Sequence, residues 1–208
     1  MQLRVLTWNI HGARDASVER IASEIIAQRP DVVCLNEVRP RHGRRLAGAL
    51  KMQSFVASSM FGPYGVAIYT NEAVSSWRRL KFEGVRRVDR RDAAVVTLAA
   101  GLTVIGIHLN LRADERLRNA HQLLKVLPDR SIVAGDMNET PKGRVWHALA
   151  GRLADAGAAV DVPTFPAGSP RERIDFIWVP PAARVLGTDV VPTRSSDHRA
   201  VAVTLEIA

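Results

Sequence analysis

The sequence predicts a mixed α/β fold in one domain. Three observations carry that expectation. The chain has 208 residues, an ordinary length for one domain. Many short runs alternate or are continuously apolar, as strands are, while three or four longer runs repeat with helical spacing. Strand-like runs also follow one another without strict helix alternation, so a doubly wound parallel sheet fits poorly. With 47% hydrophobic and 24% charged residues, the chain can build a core and is not a disordered polyelectrolyte.

The elements follow in order. Leu3 to Trp8, rich in Val, Leu and Thr, reads as a strand. Val18, Ile21, Ile25 and Gln28 keep helical spacing, Ala22 and Ile26 widen the stripe, and Pro30-Asp31 stops the helix. Val32 to Leu35 reads as a buried strand and Pro40 to Leu50 as a short basic helix. Tyr64 to Tyr69, Val74 to Phe82, Ala93 to Ala99 and Leu102 to Leu109 are strand-like, with Gly101 turning between the last two. Asp114 to Leu127 carries Leu117, His121, Leu124 and Leu127 on one helical side, and Pro128-Asp129 ends it. Ser131 to Ala134 is a short strand, and Pro141 is expected to open a helix at its first position. Ile174 to Val179, Arg184 to Val190 and Ala200 to Ile207 are closing strands. No repeat or low-complexity segment interrupts the chain.

Charge narrows the function. The 29 Lys and Arg against 21 Asp and Glu give +8 at neutral pH, which steers toward nucleic acid, anionic lipid or phosphorylated metabolites. The clusters Arg41/Arg44/Arg45 and Arg86/Arg87/Arg90/Arg91 fit a phosphate backbone, and equally a solvated basic face. Only Phe82 lies near them, which weakens a single-strand stacking groove. The one cysteine, Cys34, excludes an intramolecular disulfide and a cysteine-rich zinc site, and is expected in the core. The start lacks a signal-peptide pattern and no apolar run nears the ~20 residues of a membrane span. A cytoplasmic monomer is therefore the expectation.

Several polar residues sit at strand ends, where loops gather into sites. Asn9 follows the first strand and Glu37 the second. His108 lies near the end of Leu102 to Leu109. Asp136 and Asn138 follow Ser131 to Ala134, Asp175 starts an apolar strand, and Asp197-His198 precedes the last one. Glu37 and Asp197 are hard oxygen donors and Asn9 adds a neutral one, a sparse set that suits Mg²⁺ or Mn²⁺ with water completing the shell. Two histidines supply acid–base groups, and a carboxylate bonded to His198 would fix its tautomer and favour its cation. These parts describe metal-assisted phosphoester hydrolysis.

The segments Thr7-Trp8-Asn9-Ile10-His11-Gly12, Leu35-Asn36-Glu37-Val38, Ile107-His108-Leu109, Gly135-Asp136-Met137-Asn138, Arg173-Ile174-Asp175-Phe176 and Ser196-Asp197-His198 together resemble the endonuclease/exonuclease/phosphatase superfamily, the deoxyribonuclease I-like Mg²⁺-dependent phosphohydrolases. They occur in the family's order and span nearly the whole chain. The resemblance implies a four-layer α/β sandwich, two mixed β-sheets face to face with helices outside. It implies that Glu37 is the main Mg²⁺ ligand, helped by Asn9 and Asp197, with Mn²⁺ an alternative ion. Asp136 would orient or deprotonate water, and Asn138 would hold a phosphoryl oxygen. His198, paired with Asp175, would bind phosphate or move a proton. His108 would contact the phosphate from the other side and protonate the leaving group. Thr164 and Arg171 lie where the family often touches substrate, and Arg116 could reach a phosphate from its helix.

The departures are specific. Asn36 stands where the family often has Gln, Met137 where it has an aromatic, and His11 where exonuclease III-like enzymes have Asp. With His108-Leu109 present, the pattern lies nearer the deoxyribonuclease and sphingomyelinase side and argues against a dedicated abasic-site endonuclease. The expected activity is a nuclease on DNA or RNA. The alternatives are a phosphodiesterase or phosphatase on lipid headgroups or small phosphoesters, and a catalytically silent binding scaffold. His11 divides between rim contact and turn filler. His42, His121 and His147 are expected at the surface or in packing, and Trp146 and Trp178 in the core.

Overall fold

The computed structural model describes residues 1–58, 63–84 and 91–207. Arg86, Arg87 and Arg90 lie outside the described residues. Among those described, twelve strands form two six-stranded sheets. The first sheet runs β11 (Arg184–Val191), β12 (Ala200–Glu206), β1 (Gln2–Asn9), β2 (Val32–Val38), β4 (Gly65–Thr70) and β3 (Gln53–Ser58). The second runs β5 (Val74–Lys81), β6 (Asp92–Leu98), β7 (Thr103–His108), β8 (Ser131–Asp136), β10 (Asp175–Val179) and β9 (Ala154–Asp155). The helices are α1 (Val18–Ala27), α2 (Pro40–Leu50), α3 (Ala113–Lys125) and α4 (Arg144–Ala150).

The two sheets share one plan. Each holds one parallel pair, β1 with β2 and β7 with β8, flanked by antiparallel neighbours. Parallel neighbours need a crossover, which α1 and α3 supply. Both pairs therefore end in the same sense, with Asn9 opposite Asn36 and His108 opposite Asp136.

Three apolar layers hold four layers of structure together. Leu3, Val5, Val32, Cys34, Ile68, Val96, Val104, Ile132, Ile177 and Val203 fill the space between the sheets. Leu6, Trp8, Val33 and Leu35 face the other way and meet Ile21, Ile25 and Leu46 of α1 and α2. Ile105, Ile107, Val133, Phe176 and Trp178 meet Ala120, Leu123, Val145 and Leu149 of α3 and α4. The central strands are covered on both faces, so they read as continuous apolar runs rather than alternating ones. This is the expected four-layer sandwich.

Most predicted elements lie within a residue or two of their expected bounds, and two expectations need correction. Pro141 does not open a helix. Lys142 takes a left-handed φ of 68°, Gly143 N–H closes a turn on Thr140, and α4 starts only at Arg144. The Glu139 carboxylate then accepts the Val145 N–H at 2.6 Å and caps it. Strands β3 and β9 were not expected. β3 is an edge strand whose apolar run is only Phe55-Val56-Ala57 between polar residues, and β9 has two residues, so neither is long enough to announce itself as a strand. No helix among the described residues is long and apolar enough to cross a membrane.

Candidate active site

Strand parity decides which side chains meet. On β1, Leu3 and Val5 point between the sheets, so Asn9, of the same parity, does too. The same step carries Val32 and Cys34 to Asn36, Val104 to His108, Ile132 and Ala134 to Asp136, and Val179 and Ile177 to Asp175. Where the apolar inter-sheet layer ends, these polar groups take its place. Glu37 breaks the parity. Leu35 pairs with Ala67 but Val38 with Gly65, which leaves one extra residue in β2, and Glu37 sits there at φ 57°. The bulge turns its carboxylate back toward Asn9.

The sheets are pinned together at this rim. Asn36 reaches from the first sheet to the second, donating Nδ2–H to the Ile107 carbonyl at 2.7 Å and accepting the Asp136 N–H at 2.9 Å. Gly135 permits the close approach. It adopts φ 149°, and a Cβ there would stand 1.8 Å from the Ile107 carbonyl oxygen.

Asp136 Oδ2 is the focus of the site. Asn9 Nδ2 donates to it at 3.1 Å and also to Glu37 Oε1 at 3.2 Å. His108 Nε2 lies 3.5 Å from it and His198 Nε2 3.8 Å. The other oxygen, Oδ1, accepts the Asn138 N–H at 2.8 Å. His198 Nδ1 bonds Asp175 Oδ2 at 2.9 Å, which directs Nε2 into the site. The Trp8 indole donates to the His198 carbonyl at 2.9 Å, Ser196 Oγ accepts its N–H, and Phe165 packs on its ring at 4.8 Å between centroids.

Electrostatics separates the two histidines. Burial opposes a charge on His198, but Asp175 outweighs it, with Asp136 and Asp197 adding, and the pKa rises to about 9. His108 has no such close carboxylate among the described residues, Asp136 Oδ2 standing 3.5 Å from its Nε2. Burial, then the positive charges of Arg91 and His198, push its pKa down to about 3. At neutral pH one imidazole is a cation and the other a neutral donor or acceptor. Burial first, and then the Asp175 charge, raise the pKa of Asp136 against the pull of His198, Asn138 and Asn9. A carboxyl raised in this way is a stronger base than an exposed one.

The donor set fits a hard divalent cation. Asp136, Asp175 and His198 offer ligand atoms within 4.8 Å of one another. Asp175 Oδ1 is buried and takes no hydrogen bond among the described residues. With Glu37 beside them, carboxylate charge exceeds that of the single imidazolium, and the free donors are oxygens.

The structure brings together Asn9, Glu37, His108, Asp136, Asn138, Asp175, Asp197 and His198. Asp197 stands at the rim, its Oδ1 3.8 Å from His11 Nδ1. His11 is thus a rim contact, and it also bonds Asp15 at 2.7 Å. Asn138 spends one Nδ2–H on the Leu109 carbonyl, and the other has no partner among the described residues. Thr164 is fully buried, and its Oγ1 accepts the N–H groups of Ile174 and Asp175 at 3.3 and 3.4 Å. It therefore meets the site through Asp175. Arg171 is exposed, and its guanidinium has no polar partner among the described residues. Arg116 is held by Glu139 at 3.4 Å and by the Asn110 and Leu111 carbonyls rather than by a residue of the cluster. His42 is buried. Asn36, Ser196 and Phe165 were not singled out as site residues. Asn36 and Ser196 could have been found, because each is a polar residue inside a matched segment.

The comparisons agree with this geometry. No curated protein matches the chain. Among solved structures, an endonuclease/exonuclease/phosphatase from Beutenbergia cavernae is 25% identical, with a TM-score of 0.81 over 100% of this chain and 72% of that one. A mannosyl-6-phosphatase from Bacteroides thetaiotaomicron is 16% identical, with a TM-score of 0.86 over 99% of this chain and 100% of that one. D. rerio TDP2, complexed with a single-strand DNA product, is 20% identical, with a TM-score of 0.80 over 99% of both chains. The last two likenesses concern the fold. The sequence pattern of the Endonuclease/Exonuclease/phosphatase family matches residues 6–198, and with the polar cluster lying between the two sheets, the chain belongs to that family of phosphoester hydrolases.

Proposed function

We propose that the protein is a metal-dependent phosphodiesterase acting on nucleic acid, with Mg²⁺ as cofactor and Mn²⁺ able to replace it. The observation that carries this reading is the convergence of Asn9, His108 and His198 on Asp136 Oδ2. That arrangement supplies a base, a cationic donor and neutral donors around one point, which is what in-line displacement at phosphorus requires. Glu37, Asn9 and Asp197 would hold the ion. When bound, it supplies positive charge to the phosphoryl oxygens and the leaving oxygen.

The chain's own groups do the rest. Asp136 accepts a proton from the attacking water. His198, held as a cation by Asp175, donates Nε2–H to a non-bridging oxygen. Asn138 offers its remaining N–H to another. His108, uncharged at neutral pH, contacts the phosphate as a hydrogen-bonding group rather than as a counter-ion, and passes a proton to the leaving oxygen only if substrate or solvent supplies one. Arg171 is free to meet the phosphate from the rim. Nucleic acid is favoured by the net charge of +8. The reading treats residues 1–208 as one catalytic domain, acting as a monomer.

A substrate panel tests it: plasmid, single-stranded DNA, RNA, sphingomyelin, inositol phosphates and bis-p-nitrophenyl phosphate, each with Mg²⁺ and with EDTA. Cleavage of a nucleic acid that stops on chelation is expected. Full activity after exhaustive chelation would sink the metal assignment. Turnover confined to the lipid or small esters would replace the nuclease reading, and no turnover at all would leave a binding scaffold.

A further inference from the structure

Beside the catalytic cluster, two arginines gather on one tyrosine. Arg14 Nη2 and Arg39 Nη2 both donate to the Tyr64 hydroxyl oxygen, the latter at 3.5 Å. Both guanidinium carbons also lie over the Tyr64 ring, 5.7 and 5.6 Å from its centroid. Gly12 makes room for that ring. It adopts φ 64°, and a Cβ there would stand 2.6 Å from Tyr64 Cε1. The cluster adjoins the metal-side groups. Arg14 Nη1 is 3.5 Å from His11 Nε2, His11 Nδ1 is 3.8 Å from Asp197 Oδ1, and Arg39 follows Glu37 by two residues.

Neither Arg14 nor Arg39 has a carboxylate partner among the described residues. Arg39 is also the N-cap of α2, with no side-chain cap and no acidic residue in the first turn. A cation at the positive end of a helix opposes the helix dipole, where an anion would complement it. Arg41 lies on the same turn and donates to His42 at 3.1 Å, and Arg45 pairs with Glu19 at 2.6 Å. His42 registers the excess: burial, then Arg41, Arg39 and Arg45, lower its pKa. The same surplus argues against a second cation on His11, Asp15 and Asp197, because Arg14 stands against that imidazole.

We infer that Arg14 and Arg39, splayed on Tyr64, form a subsite for a second phosphate of the substrate, one position away from the phosphoester that is cut. The planar forks of arginine suit phosphate oxygens, and the aromatic ring fixes both forks before substrate arrives. The inference rests on the phosphoesterase reading above and narrows it to substrates carrying at least two phosphate groups. Such a group could be the neighbouring phosphate of an oligonucleotide or that of a small bisphosphate.

The test compares kcat/KM for a thymidine dinucleotide with and without a 5′-phosphate, and for a sugar bisphosphate and its monophosphate. In the unaltered protein the second phosphate should raise kcat/KM at least about tenfold, the scale of a charge-assisted pair of hydrogen bonds. The Arg14→Gln/Arg39→Gln protein should lose most of that ratio, and Arg14→Lys/Arg39→Lys should keep part of it. A preference in the dinucleotide pair alone assigns the second phosphate to nucleic acid, and one in the sugar pair alone assigns it to a small bisphosphate. Equal kcat/KM with and without the second phosphate, or a ratio that survives the Gln variant, overturns the subsite while leaving the phosphoesterase reading intact. If no ester is turned over, that reading fails. Calorimetric titration with pyrophosphate then decides the subsite alone: binding lost in the Gln variant supports it, and equal or absent binding overturns it.

Discussion

Asp136, His198 and Asp175 form one linked set, and substituting each tests its role. Asp136 is the base in the proposed reaction, so Asp136→Asn should lower kcat by roughly 10²–10⁴-fold, the usual scale for a lost acid–base group. His198→Ala should fall in the same range while circular dichroism stays native. Near-normal turnover in the His198 variant would refute its role. Asp175 acts through His198. Its carboxylate keeps the imidazole protonated up to a pKa of about 9, so the cation is present below that pH and lost above it. Activity should therefore hold into mildly alkaline solution. In Asp175→Asn the alkaline limb should move toward neutrality by about one unit or more, because burial then acts on His198 without its main counter-charge. An unmoved pH–rate profile would separate Asp175 from the titration of His198.

Above single residues, the elements explain what could be read from the chain and what could not. Asn9, His108, Asp136 and Asp175 were legible because each sits at the end of a strand-like apolar run, and strand parity then turns them to the inter-sheet side. Glu37 was legible only through its matched segment. Its orientation depends on a bulge at φ 57° that no glycine announces. The Arg14–Tyr64–Arg39 cluster was not legible either, since it joins residues 50 positions apart through tertiary packing. Asn36 shows the same limit: its type is visible, but the gap it spans between sheets is not. Replacing Asn36 by Leu would strand the Asp136 N–H and the Ile107 carbonyl, costing about 1–3 kcal/mol for each buried group left unpaired. The expected outcome is a lower melting temperature together with a reduced kcat, because Asp136 loses its tether to the first sheet. A variant with wild-type melting and wild-type kcat would show that the crosslink positions nothing.

At the scale of the molecule, stability rests on three apolar layers that must close together, and two ionisable residues report on separate layers. Cys34 lies in the inter-sheet layer and Tyr69 in the layer between the first sheet and its helices. Burial pushes the Cys34 thiol from 9.0 up to about 12, and it raises the Tyr69 phenol as well. Both groups are neutral when protonated, so the folded state holds their protons longer than the unfolded chain does. Below pH 9 neither group affects stability. As the pH rises from 9.0 toward 12, the unfolded thiol ionises and the folded one does not, so unfolding is favoured by about 1.4 kcal/mol per pH unit from Cys34 alone, with Tyr69 adding to the fall from its own higher ordinary pKa. Urea midpoints should thus be level between pH 7 and 8.5 and decline above pH 9, and Cys34→Ser/Tyr69→Phe should flatten the decline, whatever its stability at pH 7. Thiol labelling gives a second reading: in native protein at pH 8, Cys34 should react only at the rate of global unfolding. Rapid labelling of the native state, or an alkaline decline unchanged in the double variant, would mean that the sheet–sheet layer opens on its own and that the active-site rim is not held by a closed core.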